Sequence, residues 1–123
     1  MSLKVLAVDD SKTMRTMLQY ALGEAGFEVE TAEDGIHGLE VLKSLDPCPD
    51  VIITDINMPR MDGFGFIEAV REQAPYRDVP ILTLTTESAP ELKQRARAAG
   101  ATGWIVKPFD KEKLVSVLHR VSG

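Results

Sequence analysis

Short apolar runs alternate with amphipathic segments along the whole chain, and this alternation restricts the fold more than any other feature. Five runs, at residues 4–8, 28–32, 51–54, 80–85 and 104–106, are too short for helices and rich in aliphatic or β-branched residues. Between them apolar residues recur at the spacing of one helix face, and Gly26 and Gly100 stand where helices commonly end. The first helix is predicted to bury Met14, Met17, Leu18, Ala21, Leu22 and Ala25.

Five strand–helix units in succession predict a parallel sheet with right-handed crossovers and helices on both faces. For five strands the common doubly wound order is 2-1-3-4-5, the flavodoxin-like (βα)5 architecture of the α/β class. A chain of 123 residues suits one domain, so residues 1–123 are expected to form a single domain. Strands 1 and 3 are neighbours in this order, and ligands bind where the winding reverses, at the carboxyl ends of those two strands.

The composition is that of an ordinary globular protein and argues against several other classes. Hydrophobic residues make up 44% of the chain and charged residues 27%, which argues against disorder. Cys48 is the single cysteine, so no internal disulfide can form and no zinc cluster is indicated. The first residues lack the apolar stretch of a signal peptide, and no run approaches the about 18 apolar residues of a membrane helix. We therefore expect a cytoplasmic protein without a membrane segment.

Charge is distributed unevenly along the chain. The net charge of −5 argues against non-specific binding of nucleic acid. Residues 1–87 contain 16 acids and 7 bases, whereas residues 88–123 contain 3 acids and 7 bases. Such asymmetry can steer a partner to the basic end of the molecule, although basic helices can also simply offset an acidic site elsewhere.

Three aspartates end the two strands that the predicted topology makes neighbours. Asp9 and Asp10 follow the first strand and Asp55 follows the third. Taken singly, Asp10 or Ser11 could cap the first helix and Asp55 could begin a turn. Taken together, three carboxylates at one switch point would repel one another unless a cation joined them, and oxygen ligands alone favour Mg²⁺, Mn²⁺ or Ca²⁺ over zinc.

Two further strand ends add groups that suit a phosphoryl ligand. Thr85 ends the fourth strand with a hydroxyl, and Lys107 follows the fifth strand with an ammonium group. A cation, a hydroxyl and a metal site around an aspartate can bind the oxygens of a phosphoryl group, and aspartate is a known covalent acceptor of that group. Taken singly, Thr85 is equally well a strand residue with a satisfied hydroxyl. Lys107 taken singly is better explained as a solvated surface lysine, although Pro108 weakens that interpretation because it restricts the backbone directly after the lysine.

Four stretches of the chain resemble, in order and spacing, the motifs of the response-regulator receiver domain: "VLAVDDS", "VIITDINMPRMDGFGFI", "ILTLTTES" and "AGATGWIVKPF". The resemblance covers essentially the whole chain. The sequence ends where a receiver domain ends, so no output domain is expected. It is similar in this to the stand-alone chemotaxis regulators of the CheY type.

The resemblance implies roles for the residues at the matching positions. Asp55 would accept a phosphoryl group from a phosphohistidine on a kinase. Asp10, Asp55 and the main-chain carbonyl of Asn57 would bind Mg²⁺, with Mn²⁺ as a substitute, and Asp9 would hold a metal-bound water. Lys107 would pair with the phosphoryl group.

The resemblance also implies five residues that would form the switch or tune how long the phosphoryl group lasts. Thr85 and Trp104 would form the switch, with Thr85 binding a phosphoryl oxygen and Trp104 turning inward. Asn57, Glu87 and Thr86 would tune dephosphorylation. Two positions depart from the family pattern: Trp104 replaces a tyrosine of the best-known chemotaxis members, and Thr86 replaces a small residue.

The resemblance therefore implies a phosphorylation switch rather than an enzyme that turns over a substrate. Its expected partners are a histidine kinase and a target protein such as the flagellar motor switch, bound through helix 4, strand 5 and helix 5; the protein itself is expected to be a monomer. That surface carries Lys93, Arg95, Arg97, Lys111 and Lys113.

Other functions are open at this point. A phosphorelay intermediate that passes its phosphoryl group to a histidine phosphotransfer protein would also be a lone receiver domain. A phosphohydrolase of the haloacid-dehalogenase type shares the aspartate, threonine, lysine and Mg²⁺, but Asn57 stands where that family has an acidic general acid. A flavodoxin-like binding module would have a phosphate loop rich in Ser, Thr and Gly rather than "VDDS".

Overall fold

A computed structural model describes residues 2–122, in which five β-strands alternate with five α-helices and one short 3-10 helix. The elements are β1 (Lys4–Val8), α1 (Lys12–Glu24), β2 (Glu28–Ala32), α2 (Gly35–Ser44), β3 (Val51–Thr54), α3 (Gly63–Arg71), the 3-10 helix (Ala74–Tyr76), β4 (Ile81–Thr85), α4 (Pro90–Ala99), β5 (Gly103–Val106) and α5 (Lys111–Ser122). Among these described elements, none of the helices has the length and apolar character that a membrane crossing requires.

All five strands are parallel and lie in the order β2-β1-β3-β4-β5, which confirms the predicted topology. At the carboxyl end of β1, Val8 is in register with Ala32 of β2 and with Thr54 of β3. The residues that follow these strands therefore emerge at one edge of the sheet. This edge is the point at which the winding direction reverses.

The sheet is covered on both faces, so β3 and β4 are buried at every position and β1 is buried from Val5 to Val8. Val5 and Ala7 of β1 face the layer formed by α1 and α5, whereas Leu6 and Val8 face the layer formed by α2 and α3. Each of these four side chains is at most 1% exposed. This double cover explains why the first and third strands read as continuous hydrophobic runs in the sequence.

The predicted buried face of α1 is wrong at one residue. Leu18, Ala21 and Leu22 are buried, but Met17 is 47% exposed. Met17 precedes Leu18 and therefore lies about 100° from it around the helix axis, at the edge of the apolar stripe. At the start of the same helix Ser11 is the N-cap, and its hydroxyl accepts a hydrogen bond from the backbone N–H of Met14.

Candidate functional site

The carboxyl ends of β1 and β3 bring three carboxylates together. The backbone N–H of Asp9 donates to the carbonyl of Ala32 at 3.0 Å, and that of Asp55 donates to the carbonyl of Val8 at 2.9 Å. These bonds extend the ladder by one residue and fix where both aspartates leave the sheet. Asp9, Asp10 and Asp55 each offer a carboxylate oxygen, and these oxygens lie within 4.8 Å of one another.

A lysine from the far end of the chain joins two of these acids. The Lys107 ammonium donates to Asp9 Oδ2 at 2.9 Å and to Asp55 Oδ2 at 3.0 Å. Its backbone N–H donates to the carbonyl of Thr85 at 2.8 Å, and the Lys107–Pro108 peptide bond is cis. The Lys107 side chain is only 13% exposed, so the ammonium is part of a nearly buried ionic cluster.

Burial and neighbouring charges shift the pKa values of Asp9 and Lys107. Burial raises the pKa of Asp9 and the charge of Asp55 adds to the effect, although the N–H of Ser11 and the Lys107 ammonium oppose it. Burial lowers the pKa of Lys107, but its hydrogen bonds to Asp9 and Asp55 outweigh burial, and the pKa is raised above its usual range. The lysine is therefore protonated at neutral pH. A single ammonium does not neutralise three acids, so the cluster can also bind a further cation.

The donor set fits a hard divalent cation. Its three side chains offer only carboxylate oxygens, which are the ligands that Mg²⁺ and Mn²⁺ prefer. Asp10 is exposed, so the cluster is open to solvent on its side, whereas Asp9 and Asp55 are buried. Each carboxylate oxygen has more than one lone pair, so the bonds from Lys107 do not exhaust the acceptors of Asp9 and Asp55.

Glu87 makes hydrogen bonds to three other residues that the sequence singled out. Its backbone N–H donates to the Thr85 hydroxyl at 3.3 Å, and its carboxylate accepts from the Asn57 amide at 3.1 Å. Its backbone carbonyl accepts from the indole N–H of Trp104 at 3.0 Å. The Thr85 hydroxyl is fully buried, while the neighbouring Thr86 is exposed. Glu87 thus links the loop after β3 to β4 and β5.

Trp104 is half-buried and packs against a small apolar cluster between α3 and α4. The buried members of that cluster are Ile56, Phe64 and Ala96. Its indole ring therefore has an apolar face toward the helices and a polar edge bonded to the backbone of Glu87.

Two arginines make contacts near the site that the sequence analysis did not predict. Arg15 donates from Nη1 to the carbonyl of Asp9 at 2.7 Å. Arg60 makes two hydrogen bonds to the carboxylate of Asp34, at 2.8 and 3.0 Å. The "DG" pair after β2 indicates a helix N-cap at Asp34, but nothing local to Arg60 indicates its partner. The Arg15 contact joins α1 to the end of β1, whereas the Arg60 contact joins two loops that are 26 residues apart in the chain.

The chain belongs to the response regulator receiver domain family, whose model matches residues 5–119. It is similar to the chemotaxis protein CheY1 of Helicobacter pylori, with 42% identity over 124 residues that cover 98% of each chain. The sensor histidine kinase CheAY of the same organism is 37% identical over 116 residues, which are 94% of this chain but 14% of the kinase.

Solved structures agree with this assignment. The chemotaxis protein CheY4 of Vibrio cholerae superimposes with a TM-score of 0.92 and 53% sequence identity, covering 98% of this chain and 99% of that chain. The resemblance to receiver domains of the CheY type in two-component signalling is therefore confirmed, together with the fold.

Proposed function

We propose that the protein is a cytoplasmic, Mg²⁺-dependent phosphorylation switch of chemotaxis, in which Asp55 accepts a phosphoryl group from a phosphohistidine on a histidine kinase. The observation that carries the proposal is the position of the Asp55 carboxylate. The carboxylate is buried, lies in a cluster with two other acids and accepts a hydrogen bond from the Lys107 ammonium at 3.0 Å. An acceptor in such a cluster meets the incoming phosphoryl group with a positive charge already in place.

In the proposed transfer, a carboxylate oxygen of Asp55 forms a bond to phosphorus while the bond from phosphorus to the histidine nitrogen breaks. The electron pair of that bond stays on the imidazole, which is the leaving group. The N–H of Ile56 holds Asp55 Oδ1 at 2.7 Å, so the carboxylate is oriented before the reaction. Lys107 then pairs with the negative charge that the phosphoryl group brings. Orientation and charge compensation are the two contributions that phosphoryl transfer requires of a protein.

Asp10, Asp55 and the main-chain carbonyl of Asn57 are the proposed metal ligands, with Asp9 acting through a water molecule. When bound, Mg²⁺ would neutralise charge on the oxygens of the transferred group, and Mn²⁺ would serve in the same place. The protein's own contribution is to keep the three acids within 4.8 Å of one another although they repel.

The signal is proposed to leave the site through Thr85 and Glu87. If the Thr85 hydroxyl turns to bind a phosphoryl oxygen, it gives up the bond to the Glu87 N–H. Glu87 also bonds to Asn57 and to Trp104, so the loop after β4 and the tryptophan would shift together. Thr86, exposed beside Thr85, and the Asn57–Glu87 pair are proposed to control how fast water reaches the acyl phosphate.

The proposed target surface consists of α4, β5 and α5. A largely apolar groove of about 270 Å³ lies between β5 and α5, beside the exposed Val106. Lys113 lines this groove, and further exposed basic residues lie on α4 and α5. The proposed partner is therefore an acidic amphipathic segment from the flagellar motor switch or from a kinase. The exposed basic residues of this surface are Lys93, Arg95, Arg97, Lys111 and Lys113.

Incubation with acetyl phosphate and Mg²⁺, followed by intact-mass measurement, tests the proposal. The wild type should gain one phosphoryl group, and Asp55→Asn should gain none. Asp110→Asn, which removes an exposed carboxylate outside the cluster, is the matched control and should behave as the wild type. An adduct that persists in Asp55→Asn would remove Asp55 from its role. Fluorescence of Trp104, the only tryptophan, gives a second readout, because beryllofluoride should change it if the tryptophan is part of the switch.

A further inference from the structure

The loop between β3 and α3, which carries Asn57, is held at its far end by a two-fold ion pair. Arg60 Nε lies 2.8 Å from Asp34 Oδ2, and Arg60 Nη2 lies 3.0 Å from Asp34 Oδ1. The guanidinium and the carboxylate therefore meet through two parallel hydrogen bonds. Such a fork fixes orientation as well as distance, unlike a single contact to a lysine.

The carboxylate in this pair is itself immobile. Asp34 is only 5% exposed, and its Oδ1 accepts the backbone N–H of His37 at 2.9 Å as the N-cap of α2. Beside it, the N–H of Gly35 donates to the carbonyl of Met61 at 3.2 Å. A Cβ at Gly35 would lie 2.6 Å from Met61 Cγ, so the loop is packed directly against the start of α2.

Arg60 adopts a backbone conformation that its type disfavours. Its φ of 66° is the only positive value at a non-glycine residue in the described part of the chain. A side chain with a Cβ adopts this left-handed region only where its surroundings hold it there. The ion pair to Asp34 and the packing of the adjacent Met61 are the interactions that hold it. A strained residue beside a binding site indicates a positional requirement.

At its near end the same loop joins the acidic cluster. The N–H of Gly63 donates to the carbonyl of Ile56 at 2.8 Å, which closes the loop at its base. Asn57 lies inside this closed loop, three residues before Arg60. A displacement of Arg60 is therefore transmitted to the main chain of Asn57 over a short, closed path.

We propose that Arg60 and Asp34 form a positioning pair that places the Asn57 carbonyl for cation binding. The inference rests on the proposed function, because that function makes this carbonyl a ligand. Neither residue is among the proposed ligands of the cation or of the phosphoryl group. It acts by anchoring the loop to the start of α2.

The sign of one mutational effect separates positioning from simple electrostatics. Arg60→Asn removes a positive charge from an acidic region, so electrostatics alone would tighten Mg²⁺ binding. Loss of positioning would weaken it. Asparagine also tolerates positive φ, so the substitution adds little backbone strain of its own.

Mg²⁺ titration by calorimetry is the test. Arg60→Asn and Asp34→Asn should each raise the dissociation constant about threefold to tenfold, the range for a partly exposed charge-assisted pair. The dissociation constant of the double variant should not exceed that of the single variant with the larger effect, because each substitution breaks the same contact. Lys111→Gln is the matched control: it breaks the Lys111–Glu24 ion pair of 2.7 Å, and it should not weaken Mg²⁺ binding.

Two further measurements distinguish the outcomes. Hydrogen exchange of the Gly35 amide should be faster in Arg60→Asn, while the thermal unfolding midpoints of Arg60→Asn and Lys111→Gln should be similar. Unchanged or tighter Mg²⁺ binding in Arg60→Asn, or no Mg²⁺ uptake by the wild type, would overturn the positioning pair. No phosphodonor is present, so this test can fail while Asp55 still accepts a phosphoryl group, and it can succeed when Asp55 accepts none.

Discussion

Replacement of Lys107 by methionine tests the electrostatic balance of the site most directly. The substitution keeps most of the side chain's volume and removes only the ammonium that joins Asp9 and Asp55. Two nearly buried carboxylates then lose their shared charged partner, and Asp10 remains beside them. We expect the variant to fold but to be less stable than the wild type in the absence of divalent cations.

The size of the loss follows from the geometry. At an effective dielectric constant of about 20, unit charges about 3 Å apart attract by about 5.5 kcal/mol, and Lys107 makes two such contacts. Desolvation of the ammonium, several kcal/mol, is recovered when it is removed and offsets much of this loss. Breaking a buried pair costs about 3–5 kcal/mol, and the 13% exposure of Lys107 places this case near the lower end. We therefore expect a loss of about 3 kcal/mol, or about 10 °C in Tm.

Thermal unfolding followed by circular dichroism, in EDTA and in saturating Mg²⁺, is the assay. A cation at the three acids replaces part of the lost positive charge, so Mg²⁺ should raise the Tm of Lys107→Met more than that of the wild type. Lys111→Met, which removes an exposed ammonium paired with Glu24, is the control and should cost less than about 1 kcal/mol. Equal stability of Lys107→Met and wild type in EDTA would refute the reasoning, as would a deficit that Mg²⁺ leaves unchanged.

Two other substitutions test the loop and its anchor. Gly63→Ala should lower the free energy of unfolding in urea by more than about 3 kcal/mol, because the new Cβ would overlap the Asp55 carbonyl oxygen and Ile56 Cα. Gly23→Ala, where a Cβ meets nothing within 4 Å, is its control, and equal stability of the two variants would contradict the expected overlap. The Arg60 hydrogen bonds hold the pKa of Asp34 below its usual range, so the ionised form stabilises the fold at neutral pH, and this contribution is lost as pH falls through the folded-state pKa. The stability gap between wild type and Asp34→Asn should therefore narrow in acid, and a gap that widened in acid urea titrations would show that the sign is wrong.

The local sequence pattern was sufficient to predict the helices and strands and to place the three acids of the site together. The strand at Val51–Thr54 was predicted with its observed bounds, because a short run of β-branched residues buried on both faces has few other readings. The order of the strands followed from the handedness of the crossovers and the usual doubly wound arrangement. Asp9, Asp10 and Asp55 could be placed together because they follow two neighbouring parallel strands, whose carboxyl ends lie at the same edge of the sheet.

The local sequence pattern could not predict contacts between side chains that are far apart in the chain. The sequence predicted Lys107 at this edge as a partner of a phosphoryl group, whereas the structure pairs it with Asp9, 98 positions away, and with Asp55. The exposure of Met17 depended on a helix rotation of a fraction of a turn, which periodicity alone does not resolve.

The amino-acid sequence by itself determined which strands form and which acids end them, because periodicity and strand termini are properties of neighbouring residues. The tertiary structure alone decided that Glu87 bonds to Asn57 and Trp104, and that Arg60 bonds to Asp34. These pairs join loops that are far apart in the chain. Their geometry depends on how the helices pack on the sheet and on which rotamers that packing allows.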